Sequence, residues 1–299
     1  MNENKKVAWL YVALTVVTSA VAVVFQYILL KDYAEVKTGL YPRGSMTPVA
    51  FYIFLAIAAI LFCTSAFMLR KDLIPGELKR GTWYNGVFCA GGAVAVVFYG
   101  IVFFKTCGLF DGLTAFKSIN KLEFAGACIA FLVAAYFLAV LFFGKSSSNV
   151  VVFLSFFAVL WTLIYLLDLC FDKTVLVNSP AKILRQLSLV FLLVYQLLEC
   201  RALIGKAKPR LYFVSSCLTV VFMSASVFPE LLIWLQGDRM LTLEATCLIY
   251  LSALTVYVFT RSIAFAVSSD GDAVVLKSKA TEPKNKPRDD LFSSDDDSE

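Results

Sequence analysis

Acidic side chains inside long apolar runs are the residues of this sequence best placed to do chemistry. Asp168, Glu230 and Glu244 each lie near one end of such a run, and Gln26 adds an amide at a comparable position. Ionisable groups at membrane depth are costly to keep, so each of them is a candidate for function. If the four side chains meet, they form an acidic outer vestibule suited to a cation or an amine. The alternative is that they lie on different helix faces and never meet.

A proline stands next to one of these acids. Pro229 directly precedes Glu230, at the end of the stretch 224–230, whose backbone polar groups a broken helix would expose. A proline removes one backbone donor and usually kinks a helix. Many transporters coordinate their ligands with broken helices that line cavities. Pro229 therefore predicts a helix break beside Glu230.

One pair of opposite charges lies toward the other side of the apolar runs. Glu199 is about 9 Å from the end of the sixth run at 1.5 Å per residue, and Arg261 is similarly shallow in the eighth. Opposite charges in hydrocarbon usually pair. We expect a structural Glu199–Arg261 bridge between these two helices, with a gate or a proton relay as the alternative role.

Several kinds of chemistry are excluded by what the sequence lacks. It contains no histidine, which removes the commonest general base and metal ligand. It has no P-loop, so any transport would be driven by a gradient or by a separate ATPase. Its eight cysteines form no CxxC motif. Cys107 and Cys170 are expected to be free thiols, with a disulfide as the alternative. We predict no enzymatic activity, no metal and no cofactor.

The composition is that of a membrane protein. The 299 residues are 60% hydrophobic and only 16% charged, and their mean hydropathy is +0.77. A soluble domain is usually about half apolar and a quarter charged. We predict an all-α polytopic bundle in contact with the lipid bilayer. The net charge of +5 indicates topology and contact with lipid headgroups, not a nucleic-acid partner.

Eight apolar runs are long enough to cross a bilayer, which takes about 20 residues. They are 7–30, 48–69, 83–104, 124–143, 149–171, 186–205, 211–236 and 241–267. The sixth is the weakest, because Gln196, Glu199 and Arg201 interrupt it. Residues 1–268 thus form the transmembrane domain. Residues 269–299 are polar and aperiodic, which predicts a disordered cytoplasmic tail.

Small residues repeat on one face of the third and of the fourth run. Such faces let helix backbones approach closely, so we expect these two helices to pack tightly. A glycine hinge at Gly91 and Gly92 is the alternative reading. The residues of the two faces are Gly86, Ala90 and Ala93, and Gly126, Ala130 and Ala134.

Lys and Arg are more frequent on one side of the predicted helices, an excess that depends mainly on the C-terminal tail. This bias places both termini in the cytoplasm of a plasma or cytoplasmic membrane. The alternative is a signal peptide ending at Ala20-Val21-Ala22, which would leave seven helices and an outer N-terminus.

These patterns favour a small-solute transporter for a cation or amine. It would be driven by a gradient or by a partner ATPase. A membrane sensor, or an accessory or structural subunit of a membrane complex without a ligand of its own, are the alternatives.

Overall fold

The structure, a computed structural model, describes residues 3–34, 40–42, 44–65, 83–107, 120–143, 149–172, 179–204, 208–237 and 242–268. Within these ranges the chain is helical and contains no strand. A π-helical turn, Leu29–Tyr33, continues the first helix. The helices are α1 (Glu3–Ile28), α2 (Met46–Ser65), α3 (Trp83–Thr106), α4 (Lys121–Phe143), α5 (Asn149–Phe171), α6 (Pro180–Leu203), α7 (Pro209–Gln236) and α8 (Leu243–Ser268).

All eight described helices are long and apolar enough to cross a membrane. The predicted all-α class and the predicted number of helices are therefore confirmed over the described residues. The predicted tail, 269–299, lies outside them. So do residues 66–69 of the second predicted span and most of the short loops that carry the Lys and Arg bias.

The sixth helix departs most from its predicted bounds. It begins at Pro180, six residues before the predicted start at Gln186. Ser179 has extended backbone dihedrals, and proline at the first helical position is preorganised for a helix. The six extra residues include Lys182 and Arg185, both buried. A search for apolar runs stops at such charges, because it assumes that they face water.

Six of the helices close a ring. Each helix from α3 to α8 packs on the next one in the chain, and α8 packs back on α3. Helix α1 lies outside the ring, mainly against α7, and α2 lies against α1 and α7. Helix α7 has α1, α6 and α8 as its main neighbours, and it is the most buried of the eight. This arrangement turns faces of α3, α4, α5, α6 and α8 toward a common axis.

The helix break predicted at Pro229 is wrong. Helix α7 runs without interruption from Pro209 to Gln236, with Pro229 inside it and buried. A proline deprives the helix of one backbone hydrogen bond only. Packing against three neighbouring helices holds the remaining turns of α7 in place. Glu230 is therefore presented by an intact helix.

Helices α3 and α4 approach closely through glycines of α3. A Cβ atom built on Gly86 would lie 3.1 Å from Leu141, and one on Gly92 would lie 3.5 Å from the Phe137 ring. One on Gly100 would lie 3.1 Å from the Phe131 ring. The predicted small-residue faces supply the remaining contact positions, since Ala93, Ala130 and Ala134 are buried, whereas Ala90 is only partly so.

Two glycines have other surroundings. A Cβ atom on Gly126 of α4 would meet Ile164 of α5 at 3.7 Å, so this residue belongs to the α4–α5 contact. A Cβ atom on Gly91 would meet nothing within 4 Å. Gly91 is exposed and points away from the neighbouring helices.

We expect Gly100→Val to destabilise the protein by about 1–3 kcal/mol, because overpacking forces neighbouring groups to move. A Cβ atom at this position would also lie 3.5 Å from the backbone oxygen of Ala127. Gly91→Val is the matched control in the same helix, and it should leave stability nearly unchanged. Thermal unfolding of the purified protein measures both. Equal loss in the two variants would show that α3 and α4 do not meet in this way.

Candidate functional site

An acidic pocket lies at one end of the ring, among α3, α4, α5, α6 and α8. It has a volume of about 430 Å³. Four carboxyl side chains and one guanidinium line it, those of Glu123, Asp168, Asp172, Glu244 and Arg185. Carboxylates gathered around a cavity create a local field that attracts cations. We call this cavity the acidic pocket.

Helix ends place these acids. Glu123 and Glu244 lie in the first turns of α4 and α8, where the helix dipole favours negative charge. Asp168 lies in the last turn of α5, and Asp172 directly follows that helix. Asn120 connects two of these ends. Its Oδ1 accepts a hydrogen bond from the Leu122 backbone at 3.1 Å, and its Nδ2 donates to Asp168 Oδ1 at 2.8 Å.

Arg185 is the buried cation of the acidic pocket. It lies in the second turn of α6 and is only 6% exposed. Its Nη2 forms an ion pair with Glu230 of α7, and its Nη1 lies 3.9 Å from Glu244 Oε1 of α8. A buried charge needs such partners, because leaving water is expensive. Arg185 therefore links three helices through carboxylates.

The predicted vestibule residues are only partly brought together. Asp168 and Glu244 line the acidic pocket. Glu230 lines an adjacent cavity of about 290 Å³, and Glu244 lines that one as well. Gln26 lines neither. It is buried, and its Nε2 donates to the Tyr41 hydroxyl at 3.4 Å.

Three residues of the acidic pocket were missed by sequence reasoning: Glu123, Asp172 and Arg185. All three stand just outside the apolar runs, where charges are expected to face water. Their proximity to Asp168 arises from the ring, which brings the ends of α4, α5, α6 and α8 together. A better signal was available at Arg185, which stands one residue before the predicted sixth span and five after a helix-starting proline.

An aromatic layer fills the ring beneath the acidic pocket. Trp161 of α5 meets Tyr250 of α8 edge to face with ring centroids 4.7 Å apart, and Tyr99 of α3 with centroids 5.9 Å apart. Tyr165 of α5 stacks on the Trp161 ring, with the two ring centroids 5.3 Å apart. Such edge and stacked contacts pack large rings without gaps. The layer separates the acidic pocket from the groups that follow along the axis.

A buried ion pair lies beyond the aromatic layer. Arg261 Nε and Nη2 each lie 3.1 Å from Glu199 Oε1, and the Tyr257 hydroxyl donates to the same oxygen at 2.8 Å. Glu199 is 4% exposed and Arg261 is 6% exposed. The structure thus places in contact the two residues that the sequence suggested as partners.

A small cavity of about 10 Å³ adjoins this pair. This is about the space of one water molecule. Gln196, Glu199 and Tyr257 line it together with Tyr136, Ser155, Ala158, Tyr195, Cys200 and Leu254. The Gln196 Oε1 atom is buried and has no hydrogen-bond partner among the described residues. The lining is therefore polar on several sides.

The acidic pocket, the aromatic layer and the Glu199–Arg261 pair follow one another along the ring axis. On α6, Arg185 belongs to the pocket and Gln196 to the small cavity. Eleven residues of helix separate these two, a distance of about 16 Å. Helices α5 and α8 show the same order. Asp168 and Glu244 line the acidic pocket, Trp161 and Tyr250 belong to the aromatic layer, and Ser155 and Tyr257 line the small cavity. Cys107 and Cys170, considered above as a disulfide pair, are both free thiols.

We expect Arg261→Met to destabilise the protein by about 3–5 kcal/mol, because it leaves a buried Glu199 without its cation. The double variant Glu199→Gln with Arg261→Met removes both charges and keeps an acceptor for Tyr257. It should be clearly more stable than Arg261→Met alone. Thermal unfolding of the two variants and the parent protein measures this. A double variant no more stable than the single one would contradict a stabilising pair.

Comparison of this chain with protein-family models, with curated proteins and with solved structures gave no match. Its function must therefore be inferred from the acidic pocket, the aromatic layer and the buried ion pair themselves.

Proposed function

We propose that this chain is a multi-pass membrane protein that carries a small cation or amine across the bilayer and binds it in the acidic pocket. One observation carries the proposal: four carboxyl side chains and one guanidinium line a cavity of about 430 Å³ inside a helical ring. Cavities of about 300–1,000 Å³ hold small molecules. Carboxylates attract a cation more strongly there than in water, because the surroundings screen less.

Transport would need the ring to open at the aromatic layer. Trp161 and Tyr250 are almost completely buried, so the axis is closed between the acidic pocket and Glu199. In the proposed cycle this layer opens toward the other side after the pocket has taken up its cation. The energy would come from an ion gradient or from a separate ATPase, since the sequence has no P-loop.

The proposed orientation puts the acidic pocket outside and both termini in the cytoplasm. Eight apolar helices support a membrane location. The greater frequency of Lys and Arg on the side of the termini supports the direction. A plasma or cytoplasmic membrane is the proposed location, and the tail from residue 269 is proposed to be cytoplasmic.

Ligand-induced stabilisation tests the binding site. The purified protein is unfolded thermally with sodium, potassium, monoamines and diamines. A ligand at about 100 times its dissociation constant should add roughly 2.7 kcal/mol to the folded state. We expect an amine to stabilise the protein and Asp168→Asn to abolish that effect, because it removes one of the lining carboxylates.

Asp32→Asn is the matched control. Asp32 is exposed near the same end of the bundle, and it lines neither the acidic pocket nor the adjacent cavity. Uptake of the stabilising amine into proteoliposomes then tests transport. Stabilisation without uptake would favour a sensor. No stabilisation by any compound would count against the pocket as a site and favour an accessory subunit.

Thiol labelling tests the orientation. Cys170 is exposed near the proposed outer end of α5, and Lys6 is exposed near the proposed inner end of α1. In single-cysteine variants, a membrane-impermeant maleimide added to intact cells should label Cys170, and the cysteine of Lys6→Cys only after permeabilisation. The reverse pattern would place the termini outside.

A pH dependence is expected at Cys107, just beyond the end of α3. Burial, together with the nearby Glu123 carboxylate, raises the pKa of the Cys107 thiol. Only the thiolate reacts with a maleimide. The labelling rate of a Cys107-only variant should therefore still be rising as the pH passes about 9, above the usual thiol range. A rate that levels off below that range would show that Cys107 is not desolvated.

A further inference from the structure

Arg185 is a positively charged side chain in a pocket that is proposed to bind cations. Not all of its N–H groups have a hydrogen-bond acceptor. Its two terminal nitrogens face Glu230 and Glu244. Its Nε and Nη2 are both buried without a hydrogen-bond acceptor among the described residues, and of these two only Nη2 has an ion-pair partner, Glu230. A buried N–H group left without an acceptor is costly. An acceptor supplied by a ligand would remove that cost.

Arg185 is shared between the acidic pocket, which it lines, and its ion pair with Glu230. Glu230 lines the adjacent cavity and is not part of the acidic pocket lining. It therefore compensates the charge of Arg185 from outside the pocket. Arg185 itself lines the pocket, opposite in charge to every other ionised group there. The lining thus offers carboxylates for an ammonium group and a guanidinium edge for an oxygen.

We propose that the ligand of the acidic pocket carries both a protonated amine and an oxygen acceptor, a carboxylate or a carbonyl. Arg185 Nε donates a hydrogen bond to that oxygen, and the carboxylates around Asp168 receive the ammonium group. This inference rests on the proposed function, because it specifies the ligand of the same site. It distinguishes the ligand from an inorganic cation or a simple amine, neither of which offers an acceptor to Arg185.

Three related compounds separate the two ends of such a ligand. Cadaverine is a diamine, lysinamide is cadaverine with a carboxamide, and lysine is cadaverine with a carboxylate. At about pH 6 lysinamide and cadaverine both carry two ammonium groups, so they differ only in the carboxamide, and the Arg185 variants separate its acceptor oxygen from its N–H donors. We expect lysinamide to bind the purified protein about tenfold more tightly than cadaverine, the effect of one hydrogen bond in a dry site. Calorimetric titration measures both dissociation constants, and lysine shows whether a carboxylate serves as well.

Arg185→Lys tests the role of the guanidinium edge. It keeps the positive charge beside Glu230 but has no N–H group at the Nε position. The variant should therefore bind lysinamide and cadaverine with about equal dissociation constants. A second variant, Arg185→Met with Glu230→Gln, removes the donor and both charges of the pair, and it should also lose the preference. Asp32→Asn should retain it. Asp168→Asn should weaken both compounds alike, because both use their ammonium groups there.

Equal binding of lysinamide and cadaverine by the parent protein would overturn the inference and leave the acidic pocket as a plain cation site. A preference that persists in both Arg185 variants would overturn it too, since the acceptor would then be held by another residue. If neither compound binds, this inference fails, and the proposed function is then decided by the panel of cations and amines in the thermal-unfolding test.

Discussion

The fold of this helical ring depends on pairing each of the buried charges Arg185, Glu199 and Arg261 with an opposite charge from another helix. Helix α6 shows this requirement at both ends. Arg185 near its beginning faces Glu230 of α7 and Glu244 of α8, and Glu199 near its end is paired with Arg261 of α8. Along α6 the order is base then acid, and along α8 it is acid then base. Two parallel helices with these patterns match in one register, and a shift by one turn would leave two buried charges, Glu199 and Arg261, without partners. The pairs thus specify the arrangement more than they add to its stability.

The same requirement accounts for the location of the candidate site. The acids of the pocket gather at helix ends, where water can still reach Glu244, whose side chain is 73% exposed. Farther along the axis no such relief exists, and Glu199 is surrounded by Arg261 and hydroxyl groups. The aromatic layer between the two levels keeps them apart. A cation that passed through the ring would leave the carboxylates of the acidic pocket and meet Glu199, whose charge is already neutralised by Arg261.

Much of the fold could be predicted from the sequence, because uncharged apolar runs of about 20 residues are rare outside membrane-spanning helices. The Glu199–Arg261 contact was also within reach, since a buried acid and a buried base must find a partner. The acidic pocket was harder. Glu123 and Arg185 look like ordinary loop charges until the ring brings their helix ends together. Pro229 misled for a related reason: the effect of a proline depends on the packing around the helix, which a local pattern does not contain. Gly92 and Gly100 emerged as close contacts only when the partner rings on α4 were in place.

The polarity of α6 has a consequence for how the protein is made. This helix has the lowest mean hydropathy of the eight, 1.5, yet more than half of its most apolar stretch is buried. The partners of its charges lie on α7 and α8, which leave the ribosome later. An ionised group exposed to lipid without a partner is costly. In a bilayer, α6 would therefore lack the partners of Arg185 and Glu199 until α7 and α8 had been made, so its assembly would depend on these two helices.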